Sequence, residues 1–362
     1  MILALGVAIV TESFPSNERG RALGIAGTMV SIGIVIGPTL GGLLIDLFSW
    51  KWIFFVNIPI AILGILMIIR FVPDIKPEGK QRFDYLGATT LFFCLLSFLS
   101  ALTLAQSAGF TDIRVLILFV LGVLLLSFFI VVEKRAEQPM IDLTLFRNLN
   151  FSISLVTGFL TFVAIAGTLI LTPFYLENVL GYSTREVGLL IAVLPISMGI
   201  VAPISGSSSD RFGSRIITVI GLVVLLIGYS ALTTLDTQTS ALYFALLFLP
   251  IGLGMGIFQS PNNSAIMGAA PPDKLGIVSG MLALNRTLGQ TTGIAIMGAI
   301  WAALTIHYAK PSQISSATDA LAPAQVAALQ NTFVVIAGII LFALLLAVWA
   351  LIKEPARRKV SV

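Results

Sequence analysis

One arginine stands where a charge is costly. Arg286 falls inside the apolar run 276–302, about ten residues from its start. A guanidinium at that depth in a bilayer costs about 3 kcal/mol or more unless it is paired or hydrated, which makes it a candidate for work on a substrate or ion. Gln259, Asn262, Asn263, Asn285 and Gln290 lie near it in sequence. Two chemistries fit this set. Either the amides line a water-filled path beside the arginine, or they hydrogen-bond between helices while the arginine extends along Thr287 and Asn285 to a structural partner. A second set is made of Gly33, Gly37, Pro38, Gly41 and Gly42 in the run 22–48. Glycines four apart let another helix backbone approach closely, and a proline among them removes a donor and bends the helix. The third set is Gly206, Asp210, Arg211, Gly213 and Arg215, between the runs 187–205 and 216–234. Gly206 is expected to end one helix and Asp210 to sit near the start of the next, where the helix dipole favours an anion. Arg211 and Arg215 then pair with carboxylates or helix C-termini at the rim. The same residues also describe an ordinary basic loop.

The elements that must position these residues follow from composition. The 362 residues are 57% hydrophobic and 10% charged, with a mean hydropathy of +1.02. A soluble domain carries about 25% charged residues. So few charges cannot cover a water-exposed globule, and lipid is therefore the main solvent. The net charge of +4 is spread over short loops, which argues against nucleic acid, where one face is basic. Cys94 and His307 are each the sole residue of their type, so no intrachain disulfide forms and no metal cluster or cofactor is called for. No buried carboxylate cluster or nucleophile constellation points to an enzyme. The N-terminus lacks the basic region and cleavage site of a signal peptide.

A helix needs about 20 apolar residues to span the hydrocarbon core. Ten such runs are present: 22–48, 53–72, 86–106, 114–133, 150–174, 187–205, 216–234, 240–260, 276–302 and 332–352. Residues 1–11 make an eleventh of about half a span. Long two-residue alternation is absent, which argues against a membrane barrel. Alternate loops, from 12–21 to the C-terminal tail, hold sixteen of the 21 lysines and arginines, and the opposite loops hold four: Lys51, Arg114, Arg185 and Lys310. The positive-inside rule puts the richer set and the C-terminus in the cytoplasm and Met1 outside, in a bacterial inner membrane.

Pro15, Gly20, Gly24, Gly33 and Gly37 recur as Pro271, Gly276, Gly280, Gly289 and Gly293, each pair 256 residues apart. Two same-sense halves related by an axis along the membrane normal describe a class of transporters. The repeat divides the chain into 1–72, the rest of a first half; 73–149, two linker helices introduced by the charged stretch Asp74–Asp84; 150–352, a six-helix second half; and a tail, 353–362.

With these residues in place, the chain resembles the fourteen-span drug:proton antiporter branch (EmrB/QacA type) of the major facilitator superfamily. The resemblance rests on Gly33-Ile-Val-Ile-Gly37-Pro38-Thr39-Leu40-Gly41-Gly42, similar to the antiporter motif. It also rests on Glu18-Arg19-Gly20-Arg21-Ala22-Leu23-Gly24, Trp50–Pro59, Asp84 with Gly87, Pro139 with Phe146-Arg147, and Gly181 with Pro195. It implies an all-α polytopic membrane protein of the major facilitator fold, with about 11 of an expected 14 transmembrane helices. It further implies proton-coupled efflux of hydrophobic or cationic drugs by alternating access, with the 206–215 loop as a latch. Ser207 stands where the latch motif has an apolar residue. Export of an endogenous metabolite or lipid on the same scaffold is the neighbouring reading, and an inactive remnant is a third. Nothing in the pattern identifies a periplasmic adaptor.

No acidic residue falls at mid-span: Asp46 and Glu177 lie near outer ends of runs and Glu12 near an inner one. Proton coupling needs an ionisable group in the pathway, and by resemblance it would lie in three spans upstream of Met1. The expectation is that residues 1–362 alone insert into a membrane but give no protonophore-sensitive efflux of a fluorescent cation from cells. Robust efflux from that chain would refute it.

Overall fold

In lipid an apolar segment has no water to take up its backbone polar groups, so runs of this kind fold as helices. The fold is given by a computed structural model that describes residues 2–71, 84–136, 138–309, 318 and 320–353. In chain order the helices are α1 (Ile2–Ser13), α2 (Arg19–Leu47), the single turn α3 (Trp52–Phe55), α4 (Asn57–Phe71), α5 (Tyr85–Ala108) and α6 (Ile113–Arg135). They continue as α7 (Leu149–Phe174), α8 (Thr184–Phe212), α9 (Ser214–Leu232), α10 (Ala241–Gly268), α11 (Leu275–Tyr308) and α12 (Ala322–Lys353). Among the described residues, ten segments are long and apolar enough to cross a membrane, counting α3 and α4 as one. They coincide with the ten full runs. Helix α1, at 12 residues, spans about 18 Å, roughly half of what is needed. Most of the charged stretch 74–84 and the tail beyond Lys353 lie outside the described residues.

Several helices outrun their apolar cores: α8 reaches Phe212, α10 reaches Gly268 and α12 starts at Ala322. In the α8 extension polar side chains bond to the helix itself. The Ser207 and Ser208 hydroxyls donate to the carbonyls of Pro203 and Ile204 at 2.9 and 2.8 Å. The starts carry local caps: Ser183 and Glu186 form a reciprocal capping box on α8, and the Asp84 carboxylate accepts from the Gly87 N–H at 2.7 Å on α5. Between α8 and α9 there is a single residue, Gly213, at φ +91°. A side chain there would be strained, and glycine makes the turn without cost.

Helices α7–α12 share one buried cluster, including Tyr229, Phe244, Phe248, Phe258 and Phe333, all 1% exposed or less. Helix α4 contributes no buried residue. The α5–α6 hairpin is pinned by Ser97, whose hydroxyl donates to the Leu118 carbonyl at 3.1 Å. The 256-residue repeat has a structural counterpart. Helix α2 starts at Arg19 and α11 at Leu275. The preceding residues, Glu18 and Lys274, take φ/ψ of −122°/−3° and −114°/7°. In both copies a turn closes at 3.0 Å, from the Glu18 N–H to the Pro15 carbonyl and from the Lys274 N–H to the Pro271 carbonyl.

The loops gather at two ends. At one, Lys274 pairs with Asp142, and Arg215 donates to the Ala350 carbonyl at 3.4 Å. This is the basic end. At the far end, the Tyr175 hydroxyl and the Gln330 amide donate at 2.6 Å to the carbonyls of Asp236 and Leu235. The hydrogen bond from Lys274 holds the Asp142 carboxyl down at about 2, from an ordinary 3.8. A carboxyl lowered in the fold stabilises it above the ordinary pKa, and the contribution fades as pH falls from 3.8 towards about 2. The melting-temperature gap between Asp142→Asn and the parent in detergent is therefore expected to stay constant from about pH 5 to 8 and to close only in that acid window.

Candidate functional site

Helix α2 crosses α8 at the basic end with almost no side chain between the backbones. A Cβ on Gly206 would collide with the Gly20 carbonyl, and one on Gly24 with the Ala202 carbonyl. On Gly199 it would lie 2.9 Å from the Ser31 Cβ. The α2 face at this crossing is Gly20, Gly24, Thr28 and Ser31, small residues one turn apart. The Thr28 hydroxyl donates to the Gly199 carbonyl at 2.8 Å, and Ser260 of α10 donates to the Gly20 carbonyl at 2.9 Å.

Asp210 completes this clasp. Its two carboxylate oxygens accept from the backbone N–H groups of Gly20 and Arg21 at 2.8 and 2.9 Å. These are the second and third residues of α2, whose N-terminal N–H groups have no partner within the helix. Glu18, at the capping position, supplies no side-chain bond. Asp210, 190 residues from Gly20, caps α2 in its place, where the helix dipole favours a carboxylate. This corrects two expectations. Gly206 does not end a helix, because α8 continues to Phe212; its missing side chain serves the crossing instead. Asp210 lies in the last turn of α8 and serves the start of α2, not that of α9. Gly213 ends α8, Arg215 reaches α12, and Arg211 lines a shallow opening with Asn17, Glu18 and Arg21.

The glycines of the second set are placed differently. Gly33, Gly37 and Gly41 have nothing within 4 Å of an added Cβ among the described residues. Gly33 lies about 200° round the helix from Ser31, so this stripe faces away from α8. Its repeat counterparts are occupied: a Cβ on Gly289 would meet Phe162 Cβ of α7 at 2.8 Å, and one on Gly293 would collide with the Val163 carbonyl. The Pro38 side chain and the surroundings of Gly42 lie outside the described residues, although the α2 backbone stays helical through both.

Above the clasp lies a cavity of about 580 Å³. Val7 of α1, Leu23 of α2, Phe162 of α7 and Met198 of α8 give it an apolar wall. Gln259 and Asn263 of α10 face it together with Arg286 and Gln290 of α11. The Arg286 guanidinium carbon is 5.7 Å from the centre of the Phe162 ring. The six candidates thus divide between the two chemistries. Asn262 and Asn285 bond between helices, donating to the Ser154 and Leu155 carbonyls of α7 at 3.1 and 3.0 Å. Gly158 makes room for both: a Cβ there would stand 3.1 and 3.3 Å from their amide nitrogens. The other four face the cavity. Thr28, Ser31, Gly158, Phe162, Gly199 and Ser260 were not among the sequence candidates. The small-residue spacing from Gly20 to Ser31 was the readable signal for this crossing.

The model of the Major Facilitator Superfamily matches residues 1–294. The chain belongs to the major facilitator superfamily. Among curated members, the multidrug resistance protein Stp of Mycobacterium tuberculosis is 33% identical over 298 residues, covering 82% of this chain and 55% of that protein. The riboflavin transporter RibZ of Clostridioides difficile is 35% identical over 305 residues, covering 83% and 65%. The chain thus spans 55% and 65% of the length of these two relatives. The crystal structure of the human organic anion transporter MFSD10 (TETRAN) superposes with a TM-score of 0.64 at 17% identity, covering 95% of this chain and 67% of that one, which shows the shared fold. The chain is a multi-pass membrane protein of the major facilitator fold.

The two glycine sets make opposite predictions for this major facilitator chain. Gly206→Ala is expected to destabilise it by about 1–3 kcal/mol, because backbone must move to admit the methyl group. Gly37→Ala is expected to be neutral or stabilising by up to about 1 kcal/mol, from helix propensity alone. Melting temperatures of the purified variants in detergent check both.

Proposed function

We propose that the chain is the working core of a proton-coupled exporter of small hydrophobic drugs that operates by alternating access. The observation that carries this reading is a cavity within the span with a hydrogen-bonded crossing of α2 and α8 beside it at the basic end. Under the positive-inside rule the basic end is cytoplasmic, so the crossing would serve as the carrier's inner gate. Opening it requires Asp210 to release the start of α2. Each such bond has a net worth of about 0.5–1.5 kcal/mol where water can replace the partner, which binding of a substrate can supply. The likeness to Stp supports drugs as cargo. The likeness to RibZ supports a second reading, export of a metabolite on the same scaffold.

Efflux of a fluorescent amphiphile from bacteria lacking their own multidrug pumps tests the proposal. The 362-residue chain is expressed alone and behind the first three spans of a complete fourteen-span family member. Efflux from the fusion that stops on adding a protonophore carries the reading, and Asp210→Ala in that fusion is expected to lower it at least about tenfold. Efflux from neither sinks the reading. Efflux from the chain alone removes the expectation of missing spans and leaves transport standing. Riboflavin moved in preference to the dye selects the metabolite reading.

A further inference from the structure

The cavity wall carries a positive charge that nothing in the described chain balances. Arg286 has neither a hydrogen bond nor an ion pair among the described residues, and its guanidinium lies over the Phe162 ring. The remaining lining is apolar or uncharged. On the helices that enclose the cavity, the acidic residues sit near helix ends: Glu12 on α1, Asp46 on α2, and Glu186 and Asp210 on α8. Asp210 is already engaged with α2. A guanidinium held in such a wall is stabilised by water or by an anion, and an anion from the substrate satisfies it with charge-assisted, bidentate bonds.

A second group in the same wall asks for a complementary partner. Gln259 Oε1 is buried and accepts no hydrogen bond. A buried acceptor left open is costly and is satisfied by an N–H or O–H. Arg286 and Gln259 both line one cavity, whose wall also includes Phe162, with the Arg286 guanidinium over its ring.

We propose that this cavity takes an anionic aromatic amphiphile, with a carboxylate or other anionic oxygen on Arg286, the ring system beside Phe162 and an N–H or O–H towards Gln259 Oε1. The inference rests on the reading of the cavity as the transport site and narrows it, because a hydrophobic cation meets repulsion at this wall.

Fluorescein and rhodamine 6G share a xanthene ring and differ in the sign of their charge, which makes them matched probes. Binding to the purified full chain in detergent is read by fluorescence anisotropy. Fluorescein is expected to bind at least about tenfold more weakly to Arg286→Gln than to the parent, with Arg286→Lys keeping most of the affinity. Gln290→Glu keeps the arginine and sets a carboxylate one turn away on α11. It is expected to weaken fluorescein and strengthen rhodamine 6G, so the test survives if Arg286→Gln fails to fold. Fluorescein affinity within about twofold of the parent in both Arg286→Gln and Gln290→Glu overturns the proposal. So does rhodamine 6G binding the parent as tightly as fluorescein, and in that case export of the cationic dye leaves the transporter reading intact. Binding of neither dye also overturns the proposal, while the transporter reading stands or falls by efflux from the fusion.

Discussion

Two helix backbones meet at Gly20 and Gly206, and much of the molecule is arranged to allow it. Both the N–H and the carbonyl of Gly20 are held from outside its helix, by Asp210 of α8 and Ser260 of α10. The contact is therefore polar and lies at a helix terminus, where bonds lost on separation are regained from water. An apolar interdigitation of equal extent resists separation more strongly, since it exposes area at about 25 cal/mol per Å². A carrier that must part and rejoin its halves is better served by the first kind of contact. The cavity borders the same crossing, since Leu23, Ala202 and Ser260 line it.

The internal repeat gives the same helix start twice and two different surroundings. The Pro15 and Pro271 turns and the backbone angles at Glu18 and Lys274 agree closely. Yet Gly289 and Gly293 are filled by α7, while Gly33 and Gly37 have no neighbour among the described residues. A glycine stripe encodes permission for close approach and does not say which helix takes it up.

This marks the limit of what the sequence discloses. The ten spans were legible because a lipid-crossing helix announces itself by length and apolarity alone, and the repeat was legible because it preserves glycine and proline positions. The apolar runs stop short of the helix ends at Phe212, Gly268 and Ala322, since hydropathy falls there while the backbone stays helical, as where Ser207 and Ser208 bond back one turn in α8. The residue type of Asp210 suits a helix start, and sequence proximity points to α9, whereas the start it caps is that of α2, 190 residues from it. The amides near Arg286 could not be sorted, because their roles depend on facing: Asn262 and Asn285 turn to α7, and Gln259, Asn263 and Gln290 to the cavity. Gly158, which admits both asparagines, gives no local signal at all.

The one-residue link at Gly213 has a mechanical consequence. Two long helices joined without slack cannot move independently at that end, so torque on one passes to the other. Asp210 lies three residues before the joint and Arg215 two residues after it, with Arg215 bonded to the Ala350 carbonyl near the end of α12. Asp210 and Arg215 thus sit on either side of one residue, the first bonded to α2 and the second to α12. A displacement of α8 at this end would have only that joint and that bond to pass through on its way to α12.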